Sequence, residues 1–257
     1  MSKWNPDLYL KFADERTQPS RDLIARVNLP DPGAIIDIGC GPGNSTQVLR
    51  QRWPAAQVSG LDSSPEMIEK ARRAYPQQDW VLADAAGWQP EAPFDLVFSN
   101  ATLQWILNHD QLVPALFAQV RQGGALAVQV PANQSSPLHQ AVLRVSQDPA
   151  WRESTAGCSS LLNYREVGYY YDLLSRLTGP FQIWTTTYCH VMATHQGLID
   201  WYSSTGMRPY LDRLASDAQR GEFQAQVLEA CRAEYPVQQD GKILFPFQRL
   251  FFVANKV

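Results

Sequence analysis

Residues 35–45 read Ile35-Ile36-Asp37-Ile38-Gly39-Cys40-Gly41-Pro42-Gly43-Asn44-Ser45. A short apolar, β-branched run ends in three glycines at alternate positions, and an amphipathic stretch follows. The run predicts a buried strand. The glycines allow a sharp turn and let the backbone come within contact distance of a ligand, where a Cβ would collide. The spacing is G-x-G-x-G. The dinucleotide fingerprint G-x-G-x-x-G would need its third glycine at Asn44, and no G-x-x-x-x-G-K-[ST] occurs in the chain, so the loop argues against both NAD and ATP.

Outward from this loop, residues 33–130 alternate short apolar runs with amphipathic stretches, the pattern of βαβ units around a parallel sheet. Strands are predicted at 34–38, 57–61, 80–83, 95–99 and 125–130, and helices at 45–52, 65–75 and 110–121. Pro65 is well placed at a first helical position. After Val130 the breaker-rich run Pro131-Ala132-Asn133-Gln134-Ser135-Ser136-Pro137 ends the alternation. Helices are predicted at 138–147, 164–177, 195–205, 210–214 and 221–235. A sixth strand is predicted at 181–191, with Phe181, Ile183, Thr185, Thr187, Cys189 and Val191 on one side of a period-2 pattern. Residues 243–254 read as a last strand interrupted by Pro246, and the first thirty residues as a helical segment broken near Pro19.

The chain has 257 residues, 45% hydrophobic and 18% charged, with a formal net charge of −3. That length suits one domain carrying a large elaboration. A weakly acidic chain without a Lys/Arg stripe lacks the footprint of a nucleic-acid binder. No apolar run approaches the roughly 20 residues that cross a bilayer, and residues 1–6 carry no apolar stretch of signal-peptide type. A cytoplasmic protein without membrane or nucleic-acid partners is expected. Cys40, Cys158, Cys189 and Cys231 stand far apart with no C-x-x-C, so reduced thiols and no metal are expected. The basic residues comprise 17 Arg and 5 Lys, a supply of the planar forks that carboxylates prefer.

Acidic residues sharpen the reading of the loop. Asp62 ends the second predicted strand, nineteen positions after Gly43, where α/β nucleoside sites place a carboxylate for ribose hydroxyls. Asp84 ends the third. Either one alone is as readily a helix-capping or strand-end Asp.

The segment from Asp37 to Gly43, with Asp62 and Asp84, resembles the first motif and carboxylate pattern of the class I S-adenosylmethionine-dependent methyltransferases. The resemblance covers roughly residues 33–130. It implies a doubly wound, mostly parallel seven-stranded α/β sheet with an antiparallel last strand and helical lid insertions. Residues 1–257 would form one domain, with a cofactor core at 33–130. Helical elements at 1–30 and about 131–240 would make a substrate cap around the sixth strand. It further implies that Gly39, Gly41 and Gly43 pack against the methionine portion and ribose of the cofactor. Asp37 would brace the loop, Asp62 with Ser63 beside it would hold the ribose hydroxyls, and Asp84 would accept from the adenine amino group. Asn100 and the residues after it would lie beside the methyl donor. Trp105 and Trp88 could offer an aromatic face to the sulfonium, with core burial the equal alternative for Trp88.

A second resemblance runs from end to end. Residues 4–12, Glu15-Arg16, Leu23 to Val27, Asn100-Ala101-Thr102-Leu103-Gln104-Trp105 and Thr205-Gly206-Met207-Arg208-Pro209-Tyr210 together are similar to the trans-aconitate 2-methyltransferase family. It implies esterification of one carboxylate of a small tricarboxylic acid, with S-adenosylhomocysteine as the second product. Methylation of a carrier-bound malonyl group is the nearest enzyme alternative, since that family shares an Asn-Ala-x-Leu-Gln-Trp-like stretch. A module that binds the cofactor without catalysis is a third reading. Such modules usually lose the loop glycines or the ribose carboxylate, and all are present here.

Transfer to a carboxylate needs no general base, because the nucleophile is ionised at neutral pH. The absence of a recognisable catalytic grouping agrees with this, and Cys189 and His190, adjacent on a strand, would face opposite ways. Three carboxylates do need cations and donors. Arg208, Arg16 and Arg249 are the arginine candidates, with Arg208 first among them, and Tyr9 and His190 could add hydrogen bonds. Tyr169-Tyr170-Tyr171 point in three directions on a helix and are read as packing.

Overall fold

The computed structural model describes residues 13–257, with side chains described from residue 17 onward. Helix α1 (Ala13–Ala25) leads toward the first strand. Pro19 does not break it, contrary to the sequence reading. A proline removes one backbone donor, while Leu23, Ile24 and Val27 are buried on its C-terminal side and hold the remaining turns.

Seven strands follow: β1 (Ala34–Ile38), β2 (Gln57–Asp62), β3 (Asp79–Leu82), β4 (Phe94–Asn100), β5 (Val120–Pro131), β6 (Phe181–Met192) and β7 (Ile243–Asn255). They form one sheet in the order β3-β2-β1-β4-β5-β7-β6. The first five pair in parallel and β7 is antiparallel, the doubly wound arrangement that the sequence leads one to expect. Between them run α2 (Asn44–Arg52), α3 (Pro65–Ala74), α4 (His109–Ala118), α5 (Pro137–Ser146), α6 (Val167–Leu177), α7 (Gln196–Ser203), α8 (Arg208–Leu211) and α9 (Asp217–Cys231). Chain order reverses on the two sides of β1 and β4. In open α/β sheets the crevice at such a reversal, beyond the carboxyl ends of the strands, is where ligands bind.

Three further local readings are corrected. β5 begins at Val120, which pairs with Phe94, so α4 stops at Ala118 and Arg121 is strand. β3 ends at Leu82, which leaves Asp84 two residues beyond it. Pro246 does not interrupt β7: Ala132, just past β5, donates to the Gln248 carbonyl at 2.9 Å, so Pro246 lies beyond the paired part of β5 and its missing N–H breaks no bond there. On β6, from Trp184 onward, the even-numbered positions are the more covered ones. His190 and Met192 are buried and Trp184 and Tyr188 half-buried, whereas Thr185, Thr187, Cys189 and Val191 are exposed. The aromatic positions carry more apolar area than a face of threonines and a cysteine, and that area decides which set turns inward.

Residues 16–257 divide into two compact units. The first comprises residues 16–131, 165–186 and 250–257, and the second residues 132–164 and 187–249. The first unit thus holds β1 to β5 and α6. The second has its own core, in which Trp151, Tyr202, Tyr210, Phe223 and Phe245 are buried among aliphatic side chains. Among the described residues no helix is long and apolar enough to cross a membrane, and no group of three His, Cys, Asp or Glu could hold a metal ion.

Candidate active site

Within the first unit, the end of β1 and the start of α2 are tied by Asp37. Its Oδ2 accepts from Ser45 Oγ at 2.6 Å and Thr46 Oγ1 at 2.7 Å, which fixes the first turn of the helix against the strand. Its Oδ1 is buried and accepts no hydrogen bond. Burial pushes the carboxyl up to about 6, a rise that the Ser45 and Thr46 hydroxyls partly offset.

The glycine loop hangs from the neighbouring strand. Gly39 and Cys40 donate to the Leu61 carbonyl at 2.7 and 2.9 Å. Gly41 has φ of 55°, and no atom lies within 4 Å of where its Cβ would be. A side chain there would be strained and would occupy the open space over the loop, which is the space a ligand needs. The Gly41 N–H donates to Asp62 Oδ2 at 2.9 Å, and the Ser64 N–H to Asp62 Oδ1 at 2.8 Å. Each carboxylate oxygen keeps a lone pair for a further donor. Ser63, next to it, is exposed. Asp84 is exposed, and its Oδ1 accepts from the Ala86 N–H at 2.9 Å.

Beyond β4 the chain turns through Ala101, a non-glycine residue with φ of 56°. Such a conformation persists only where the surroundings hold it. Ala101 N–H donates to the Gln129 carbonyl at 2.9 Å and Gln104 Nε2 to the Ala101 carbonyl at 2.6 Å. Thr102 Oγ1 donates to the Gly39 carbonyl at 3.2 Å, joining this turn to the glycine loop. His109 Nε2 lies 2.8 Å from the Leu103 carbonyl and Nδ1 2.8 Å from Tyr170 Oη. Burial lowers the His109 pKa, so the ring is neutral, donating to Leu103 and accepting from Tyr170. Asn100 Oδ1 is buried without a donor, and Trp105 stays 41% exposed. Trp88 stacks on Phe94 at 6.0 Å, a packing role. Sequence reasoning singles out none of Ala101, Thr102, Gln104, His109 or Tyr170 individually as a site residue. The first three do lie in the Asn100–Trp105 stretch, which is the one signal that marks them.

Of the acid-binding candidates, Tyr9 and the Arg16 side chain lie outside the described residues. The others fall in the second unit. Arg208 opens α8, half-exposed, with Nε 3.4 Å from Asp212 Oδ2. Arg249 is only 4% exposed, its guanidinium 4.8 Å from the Phe247 ring centroid, so it is no solvated surface charge. His190 is buried with its ring 4.4 Å from that of Trp201, and Cys189 next to it is exposed, so the two do face opposite ways. Tyr170 is buried, Tyr171 is exposed and Tyr169 lies between, the three directions expected.

The cleft at the ends of β1, β2 and β4 fits a cationic nucleoside cofactor. It presents an open glycine cradle, a strand-end carboxylate with free lone pairs, and two buried acceptor oxygens, on Asp37 and Asn100, that lack donors. Residues 35–124 match a family model described as a methyltransferase domain. A YcgJ protein structure from Bacillus subtilis aligns with a TM-score of 0.61 at 14% identity, covering 93% of this chain and 98% of that one. A phosphoethanolamine N-methyltransferase of Haemonchus contortus in complex with S-adenosyl-L-methionine aligns with a TM-score of 0.56 at 16% identity, covering 93% of this chain and 52% of that one. Both likenesses establish the fold. The protein is a class I, S-adenosylmethionine-dependent methyltransferase. Trans-aconitate 2-methyltransferases of Azoarcus sp. (strain BH72) and Escherichia coli O157:H7 are each 45% identical to it, the first over 99% of both chains and the second over 100% of this chain and 99% of its own. The chain belongs to the trans-aconitate 2-methyltransferase family.

Proposed function

We propose that the protein transfers a methyl group from S-adenosylmethionine to one carboxylate of trans-aconitate, giving the monomethyl ester and S-adenosylhomocysteine. The observation that carries this reading is the end-to-end similarity to the family, which runs through residues 132–249 as well as the general methyltransferase segment. Cofactor binding is assigned to the loop of Gly39, Gly41 and Gly43, to Asp62 and Ser63 for the ribose, to Asp84 for the adenine amino group, and to Asp37, Asn100 and Trp105 around the methionine portion. When bound, the cofactor supplies an electrophilic methyl on a positively charged sulfur. The acceptor oxygens of Asp37 and Asn100 suit its ammonium, and the exposed Trp105 ring suits a cation.

A carboxylate is already ionised at neutral pH, so no side chain has to remove a proton before attack. The chain's own task is to hold one carboxylate oxygen in line with the bond that breaks and to keep water away. Acid recognition is assigned to Arg249 and His190, buried in the second unit, and to Arg208, with Arg16 and Tyr9 as further candidates. Incubation with S-adenosylmethionine and a panel of di- and tricarboxylic acids, read by mass spectrometry, tests the reaction. Trans-aconitate monomethyl ester is the expected product. Esterification of a malonyl-carrier substrate with none of trans-aconitate would overturn the reading.

A further inference from the structure

Arg208 is the obvious residue of the segment 205–210, yet the buried residues of that segment are Gly206, Met207, Pro209 and Tyr210. A Cβ on Gly206 would collide with Cζ and the hydroxyl of Tyr202, so only glycine leaves room for that phenol. The phenol is the centre of a polar cluster inside the second unit. Its oxygen lies 2.6 Å from His139 Nδ1 and accepts from Asn133 Nδ2 at 3.4 Å. Burial lowers the His139 pKa to about 4, so its ring is neutral, and Tyr164 stands near enough to Tyr202 for each phenol to perturb the other. The His139 ring meets the Tyr164 ring edge to face at 5.3 Å.

Asn133, His139 and Tyr164 thus converge on the Tyr202 phenol. Tyr164 faces the positive charge of Arg249. Tyr210 faces Tyr164 and supplies a spare proton, because its hydroxyl is buried and has no acceptor. A buried donor without an acceptor is costly to the fold, because it has given up its water for nothing. A spare buried O–H donor, with the Tyr164 hydroxyl and a buried guanidinium near it, suits an anionic acceptor, and a carboxylate is the anion that the reaction requires.

We propose that Tyr164 and Tyr210, with the Arg249 charge beside them and Tyr202, Asn133 and His139 as their support, bind a carboxylate that the reaction leaves unesterified. The proposal rests on the tricarboxylate reading above and names its anchor. Tyr164 and Tyr210 contact the acid, whereas His139 and Asn133 are positioning residues that act through Tyr202.

The test is calorimetric binding of trans-aconitate, at saturating S-adenosylhomocysteine, to the unaltered protein and to Tyr210→Phe, Tyr164→Phe and Tyr171→Phe. The first two changes keep each ring in place and remove one donor to a charged acceptor. Each is expected to weaken binding tenfold or more while S-adenosylhomocysteine affinity stays within about twofold. Tyr171, exposed and in the first unit, is the control and should change nothing. An unsaturated C4 dicarboxylate, lacking the anchored group, should bind weakly and equally to all four proteins. Unchanged trans-aconitate affinity in Tyr210→Phe and Tyr164→Phe, equal losses on both acids, or no binding to the unaltered protein would overturn the anchor. Turnover of trans-aconitate by the unaltered protein is scored separately by mass spectrometry. Affinity lost in the Phe variants without any ester formed upholds the anchor and rejects the reaction; ester formed with affinity unchanged does the reverse.

Discussion

The two units differ in how their polar groups are brought together. In the first, the groups assigned to the cofactor sit at strand ends and on loops, and backbone amides and carboxylates predominate: Gly41 N–H, Asp62, Asp37 and the turn at Ala101. In the second, side chains on helices and a strand converge from distant parts of the chain, and phenols, an imidazole and a guanidinium are buried in one unit. A loop at a strand end can be built from a few consecutive residues. The buried cluster draws on Asn133, His139, Tyr164, Tyr202, Tyr210 and Arg249, more than a hundred positions from first to last. On the assignments proposed above, cofactor recognition is local in sequence and acid recognition is a product of the fold.

The comparison is broken most directly at Asp62. Replacing it with Ala removes two backbone-to-carboxylate bonds as well as the ribose acceptor. Bonds to a charged group contribute about 1.5–3 kcal/mol each, so cofactor affinity measured by calorimetry should fall by roughly a hundredfold or more. Gly206→Ala is the counterpart in the second unit. Its Cβ would overlap a phenol held by His139 and Asn133, a form of overpacking that costs about 1–3 kcal/mol. Thermal unfolding should shift down by a few degrees, with about 2–4 °C expected per kcal/mol at this chain size.

Acidification should separate the units by sign. Asp37 has a folded pKa of about 6 against 3.8 as its ordinary value, so its contribution to stability is fully present below 3.8 and is lost as pH rises through 6. His139 goes the other way. Burial lowers it to about 4 from 6.5, so its contribution is present above 6.5 and is lost as pH falls toward 4. Urea unfolding at about pH 7 and about pH 5 should show Asp37→Asn losing more stability on acidification than the unaltered protein, and His139→Gln losing less. The smallest effect is expected at Arg208. Its pair with Asp212 is half-exposed, and such pairs contribute about 0.2–1 kcal/mol, so Arg208→Ala should move stability little and acid affinity less than Tyr210→Phe does.

The same contrast explains what can be read before folding. Asp37, the three glycines and Asp62 are legible because strand, turn and carboxylate follow one another at fixed spacings, and the five parallel strands because each is a short apolar run. Arg208 and Arg249 are indistinguishable as letters. Only the fold puts one at the surface beside Asp212 and the other in the core. The period-2 pattern of β6 announces a strand, but the area of Trp184 and Tyr188 at the alternate positions sets which face turns inward. Pro19 and Pro246 look like breaks because the sequence does not show that a missing N–H has no partner to lose or that burial of neighbouring turns outweighs it. Tyr202 gives no signal in the sequence, since its partners His139 and Asn133 lie 63 and 69 residues away.

The division of labour between the units stands or falls on one paired measurement: affinities for S-adenosylhomocysteine and for trans-aconitate in Asp62→Ala and Tyr210→Phe. Asp62→Ala should lose the nucleoside. Tyr210→Phe should keep the nucleoside within about twofold and lose the acid by about tenfold or more. A Tyr210→Phe protein that loses both ligands together, or neither, would contradict the account.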